Sequence, residues 1–285
     1  MSETGSMCEV SDVVEPQWVR EGAGVKVRRS IGSASLDYID PFLLLDHFGS
    51  HNPEDYRKGF PMHPHRGIET VTYMLAGLVR HKDSLGNQGE ITSGDVQWMT
   101  AGRAILHEEM PEGLGGHMEG FQLWVNLPAS LKMSEPRYQE INAANIPWLN
   151  PVKGVAIRLI AGRYGEVNGP VTGIAADPLY MDVAVDGGDK FEHEIPAGHH
   201  AFIYVFKGGG EFCGTQVEAA RLAVLGDGDK IEVTGGLFGT RFLLVAGKPF
   251  GEPIVRYGPI VMNTEEEINQ TLRELRDGTF IRSGS

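Results

Sequence analysis

Phe60-Pro61-Met62-His63-Pro64-His65-Arg66-Gly67-Ile68-Glu69-Thr70-Val71-Thr72-Tyr73 is the stretch on which the reading of this chain turns. Side chains alternate along an extended segment, so His63 and His65 share a face if the segment is a strand. Ile68 to Tyr73 is rich in β-branched and aromatic residues, which supports that conformation. Pro64 cannot donate to a central ladder, which puts the His63-Pro64-His65 step at the start or edge of its strand. After a second strand-like run, Val96-Gln97-Trp98-Met99, the chain offers His107-Glu108-Glu109, in which His107 and Glu109 have the same parity. If both segments line one barrel, His63, His65, His107 and Glu109 converge. Three imidazoles and a carboxylate suit a borderline first-row metal, with open positions if the ion is octahedral. On spacing alone Glu69, four residues beyond His65, competes with Glu109 as the carboxylate, whereas Glu108 points away.

Each half of this set has an ordinary explanation, since a lone His-x-His is more often a hydrogen-bonded or surface pair than a metal site. The glycines add weight. Gly94-Asp95 reads as a turn, and Thr100-Ala101-Gly102 as another just before the segment carrying His107. The order Gly-x3-His-x-His-x3-Glu followed by Gly-x5-Thr-x-Gly-x4-His resembles the paired motifs of the cupin superfamily, small β-barrels that hold a metal inside.

The resemblance narrows to the pirin family. It is carried by Val27-Arg28-Arg29-Ser30-Ile31-Gly32, Asp40-Pro41-Phe42-Leu43-Leu44, His63-Pro64-His65-Arg66-Gly67 and Gln97-Trp98-Met99-Thr100-Ala101-Gly102-Arg103. Leu106-His107-Glu108-Glu109-Met110-Pro111, Leu123-Trp124-Val125-Asn126-Leu127 and Gly258-Pro259-Ile260-Val261-Met262-Asn263-Thr264 continue it in order. The resemblance implies an all-β protein of two tandem, jelly-roll-like cupin barrels with a C-terminal α-helix. It implies iron(II), or another divalent ion among Mn, Co, Ni, Cu and Zn, held by His63, His65, His107 and Glu109. Some pirins resemble quercetinases, which implies a ring-opening dioxygenase acting on a flavonol-like aromatic with O2, and Glu109 is the candidate catalytic base while ligating. Others act as iron-dependent redox modules that modulate transcription factors. The surface for such a protein partner would be Lys26, Arg28, Arg29 and Arg66.

Composition bounds these readings. The 285 residues suffice for a large core, and 38 glycines and 16 prolines with 22% charged residues fit a turn-rich β protein. A formal net charge of −13 argues against sequence-independent nucleic-acid binding. Cys8 and Cys213 suggest no disulfide framework and hence a reducing compartment, cytoplasmic or, in a eukaryote, also nuclear. No run has the length of a membrane span, and the polar, acidic Met1 to Val10 does not read as a signal peptide. The expected molecule is a monomer without membrane attachment.

Along the chain, residues 1 to 16 read as a loose tail and residues 24–31 as a one-sided strand. Asp40 to Phe48 reads as core strand and 128–150 as a linker. The expected boundary separates 1–145, the metal-bearing barrel, from 146–285, a metal-free barrel with the helix. The second half shows short strands at turn-separated intervals. Its His193, His199 and His200 form no His-x-His, and no His-x-Glu pair follows. Thr264 and Glu267 form a capping box, Ile268, Leu272 and Leu275 follow at helical spacing, and Asp277-Gly278 ends the helix. His47, His51, His81 and His117 lack a partner two residues on and stay outside the site. Phe60, Met62, Trp98 and Met99 are candidate pocket walls.

Overall fold

Alternating apolar runs become strands through most of the N-terminal half of the computed structural model, which describes residues 6–281. In chain order these are β1 (Val10–Val14), β2 (Gln17–Glu21), β3 (Val25–Ile31), β4 (Phe42–Ser50), β5 (Phe60–His65) and β6 (Ile68–Ala76). There follow β7 (Leu78–Asp83), β8 (Gln88–Thr92), β9 (Val96–Thr100), β10 (Ile105–Glu112), β11 (Met118–Asn126) and β12 (Arg137–Ile141). The order β12-β9-β6-β11-β4-β3-β2 makes a seven-stranded antiparallel sheet, and β5-β10-β7-β8 a four-stranded one. Side chains of β6 and β11 bond to a side chain of β10, so the two sheets face each other as the walls of a barrel. Trp98, Tyr73, Phe42 and Phe121 are fully buried there. Each large apolar side chain so buried contributes about 1.5–3 kcal/mol.

β5 is the edge strand of its sheet, a position that tolerates Pro64, and it stops at His65, so the His63-Pro64-His65 step lies at the end of the strand and not at its start. Gly67 turns the chain with φ +77°, and a Cβ there would lie 1.9 Å from the carbonyl oxygen of Val261. Only glycine fits. β5 and β6 therefore belong to different sheets, and the parity shared by His65 and Glu69 in the sequence does not carry across the turn.

The C-terminal half, joined by β1, forms one bent nine-stranded sheet, which includes Val155–Ala161, Leu179–Val185, His200–Phe212, Arg221–Leu225 and Lys230–Gly247. The two longest strands pair with register shifts around residues 205–210, where Gly208 has φ +70° and a Cβ would meet the carbonyl oxygen of Gly239 at 2.1 Å. These irregularities bend the strands. Ile157, Met181, Val183, Ile203, Phe212, Phe242 and Leu244 are buried together in this half's core.

Three expectations change. The N-terminal segment is not wholly loose: β1 pairs with Arg221–Leu225, while residues 1–5 of the expected tail lie outside the described residues. The linker contains β12, which pairs with β9. The division at 145/146 is replaced by interleaved units, one of residues 1–17, 30–41 and 144–249, the other of 18–29, 42–143 and 250–285. The helix thus belongs to the unit of the first barrel. Backbone pairing, which sequence spacing does not report, decides both exchanges.

That helix, α1 (Glu265–Asp277), has the expected capping box between Thr264 and Glu267, and Gly278 closes it in the left-handed conformation. Ile268, Leu272 and Leu275 pack on the hairpin formed by Val255–Tyr257 and Ile260–Met262. No helix among the described residues is long and apolar enough to cross a membrane.

Candidate metal centre

His63 and His107 are direct cross-strand partners on β5 and β10, and Ile105 lies opposite His65. Because opposed residues share a face, all three imidazoles project to one side. The Nε2 atom of His63 lies 3.0 Å from that of His65 and 3.0 Å from that of His107. His63 Nδ1 lies 2.9 Å from the carbonyl oxygen of Pro61, which can only accept, so Nδ1 carries the proton and Nε2 presents its lone pair inward. His65 and His107 are 1% exposed, and the edge of His65 meets the Trp124 ring at 5.3 Å. Burial, reinforced by the neighbouring imidazoles, holds the His65 pKa well below the ordinary value. Burial likewise lowers His107 to about 4, against the opposing charge of Glu109. Neutral nitrogen donors crowded around one point fit a borderline transition ion better than Mg or Ca, which prefer oxygen.

Glu109 follows on β10, where the register with β5 slips between His107 and Glu109. Such a bulge re-aims the side chains beside it. The Glu109 carboxylate is 4% exposed and is held by β11 and β6. Gln122 Nε2 donates to its two oxygens at 3.3 and 3.2 Å, and Thr72 Oγ1 donates at 3.2 Å. The close donor cluster comprises the three histidines, and Glu109 stands at its side rather than within it.

The competing carboxylates lie elsewhere. Glu69 accepts from Thr100 Oγ1 at 2.7 Å and from Trp98 Nε1 at 3.1 Å, and burial raises its pKa. Glu108 points away, as its parity requires, and pairs with Lys82 at 2.8 Å. The excluded histidines also have other partners. His47 meets Glu119, His81 meets Gln97 and Glu140, and His51 stacks on His117.

A cavity of about 330 Å³ opens beside His63. Phe60, Leu44, Trp124, Gln122 and Arg256 are among its walls. Of the four expected walls only Phe60 lines it; Met62 is 46% exposed, and Trp98 and Met99 are core. Trp124 and Pro259 belong to two of the family-like segments and Arg256 to none, and nothing in their spacing points to a cavity.

The basic patch does not form as expected. Arg66 is 3% exposed, and Arg29 is spent on ion pairs with Asp46 and Glu21, each at 2.7 Å. Lys26 and Arg28 remain, both over the ring of the exposed Trp18.

Two successive jelly-roll-like barrels, the first carrying a histidine cluster between its sheets, define a bicupin. The chain belongs to the pirin family: residues 24–125 match the Pirin model and 180–281 the Pirin C-terminal cupin domain. It is 45% identical over 91% of its length to a Pseudomonas aeruginosa protein named "Putative quercetin 2,3-dioxygenase PA3240", covering 93% of that protein. It is 42% identical to human pirin, covering 96% of this chain and 94% of pirin. The crystal structure of a quercetin 2,3-dioxygenase from Acinetobacter baumannii superposes with a TM-score of 0.89 at 35% identity, over 96% of this chain and 99% of that one.

Proposed function

We propose that this pirin is a dioxygenase that opens the ring of a flavonol-like substrate with O2, using a divalent transition metal, iron(II) foremost, held by His63, His65, His107 and Glu109. The observation that carries this reading is the clustering of three imidazoles beside a cavity, with His63 Nε2 3.0 Å from both His65 Nε2 and His107 Nε2. The quercetin dioxygenase names of two extensive relatives support the substrate class. Once bound, the ion would supply Lewis acidity to a substrate hydroxyl and a place for dioxygen.

The protein's own part follows from its side chains. Burial keeps His65 and His107 neutral and ready to donate lone pairs. Phe60, Leu44 and Trp124 offer apolar surface to a flat ring and displace water from it. Glu109, held by Gln122 and Thr72, would be the fourth ligand to the ion and, while ligating, would take the hydroxyl proton of the substrate. Arg29, paired with both Asp46 and Glu21, forms a charged side of the same cavity.

Protein purified without oxygen, loaded with iron(II) and mixed with quercetin in air tests the reading. Loss of the flavonol absorbance in wild type and its persistence in His107→Ala is the expected result. Equal loss in both proteins contradicts it. Redox-dependent binding of a transcription-regulating protein without turnover would favour the second reading that the resemblance to pirins implies. The burial of Arg66 and the pairing of Arg29 leave that reading a smaller basic surface.

A further inference from the structure

Arg66 follows His65 directly, and all three nitrogens of its buried guanidinium donate hydrogen bonds. Its Nη1 donates to Thr271 Oγ1 at 2.8 Å and its Nη2 to Glu274 Oε2 at 2.6 Å, both on α1. Its Nε donates to the carbonyl oxygen of Arg103, in the turn that leads into β10 and His107. The guanidinium carbon stands 4.6 Å from the centre of the Phe280 ring, just beyond the helix. One side chain therefore touches the strand of two histidines, the approach to the strand of the third, and the C-terminal helix.

The backbone repeats the connection. Val261 N donates to Arg66 O at 3.0 Å. Lys132 Nζ is buried and donates to Gly67 O at 3.0 Å, to Val261 O at 3.1 Å and to Asn126 Oδ1 at 2.7 Å. A guanidinium and an ammonium taken out of water are retained only where their partners are held in place. Thr271, one such partner, is fully buried and also bonds to Glu267 O at 2.8 Å.

We propose that Arg66 is a positioning residue that locks the His65 corner to α1, so that docking of the C-terminal helix and metal binding at the three histidines are energetically coupled. This rests on the reading of His63, His65 and His107 as ligands. With α1 docked, Arg66 fixes β5 relative to the turn before β10, which sets the spacing of the three Nε2 atoms. With α1 undocked, Arg66 loses two of its acceptors and the corner is free to relax. Coupling is reciprocal: whatever helix docking adds to metal affinity, the metal returns to helix docking.

Cobalt(II) is a suitable probe, because its visible spectrum reports the ligand set. Its affinity is measured by titration of wild type, Arg66→Met, Glu274→Gln and the double variant, and hydrogen exchange of the α1 amides is followed with and without the ion. The expected result is slower α1 exchange in wild type on cobalt(II) binding, with each single variant weakening affinity about tenfold or more, the range for groups behind the ligands. The double variant should lose little beyond Arg66→Met, because both changes cut one connection. A merely structural pair would lower the melting temperature and leave cobalt(II) affinity unchanged. Unchanged affinity in Glu274→Gln, or α1 exchange indifferent to the ion, overturns the proposal; Glu274→Gln decides if Arg66→Met does not fold. A wild-type protein that binds no cobalt(II) refutes the ligand reading itself and is told apart from failure of the coupling by that result.

Discussion

His63 and His107 stand opposite each other on β5 and β10, with Nε2 atoms 3.0 Å apart. Imidazole nitrogens that close can share one cation, and His65 Nε2, at the same distance from His63, brings a third lone pair to the point. Removing one member should therefore remove more than a third of the binding. His107→Ala is expected to lower affinity for a divalent transition ion at least a hundredfold, and wild type to bind about one equivalent. Equilibrium dialysis with metal analysis checks both; two tightly held equivalents would contradict the single site.

Glu109→Gln should weaken metal binding strongly, because it removes the carboxylate that Gln122 and Thr72 hold beside the histidines. Glu108→Gln should leave binding nearly intact, since it breaks only an exposed pair with Lys82. Glu69→Gln should spare the metal but lower stability by about 1–3 kcal/mol, because Trp98 and Thr100 donate to different oxygens of Glu69 and the amide replaces one of them with a donor. Paired metal titrations and urea denaturation separate these outcomes. Loss of metal in Glu69→Gln with retention in Glu109→Gln would overturn the assignment.

Much of this centre was legible in sequence because strand parity is local. His63, His65 and His107 needed only period two, and Pro64 excluded the middle of a strand while leaving its start and its edge open. Glu69 stayed in competition because the turn at Gly67 breaks the parity, and a left-handed glycine in the middle of a β-rich run gives little warning. The helix was legible from Thr264 and Glu267, but its unit was not: the partners of Arg66, Thr271 and Glu274, follow some two hundred residues later. The same holds for β1 and Arg221–Leu225. Long-range pairing also hid Arg66 itself, which alone in sequence reads as surface charge.

The metal-free protein should lose stability in acid. The folded-state pKa of His107 is about 4, below the ordinary 6.5, so the unfolded chain binds more protons between those values. The contribution is present in full above pH 6.5 and is lost as pH falls through about 4, on the order of 3 kcal/mol. His65 acts in the same direction. Urea midpoints in chelator from pH 8 to 4 should fall more steeply in wild type than in His107→Gln. Parallel curves would remove the burial of His107 as a source of the pH dependence.

Gly67→Ala should destabilise the fold by more than about 3 kcal/mol, since the added Cβ meets Val261 O at 1.9 Å on backbone that alanine rarely adopts. Denaturant unfolding measures it. A loss below 1 kcal/mol would mean that the corner after His65 is not packed as described.

Oxygen consumption by the iron(II)-loaded protein on addition of quercetin tests the central claim most directly. Uptake of about one O2 per flavonol consumed, absent from His107→Ala and from wild type treated with chelator, is predicted for a dioxygenase. A wild-type protein that holds one equivalent of iron(II) and takes up no oxygen with quercetin would contradict it.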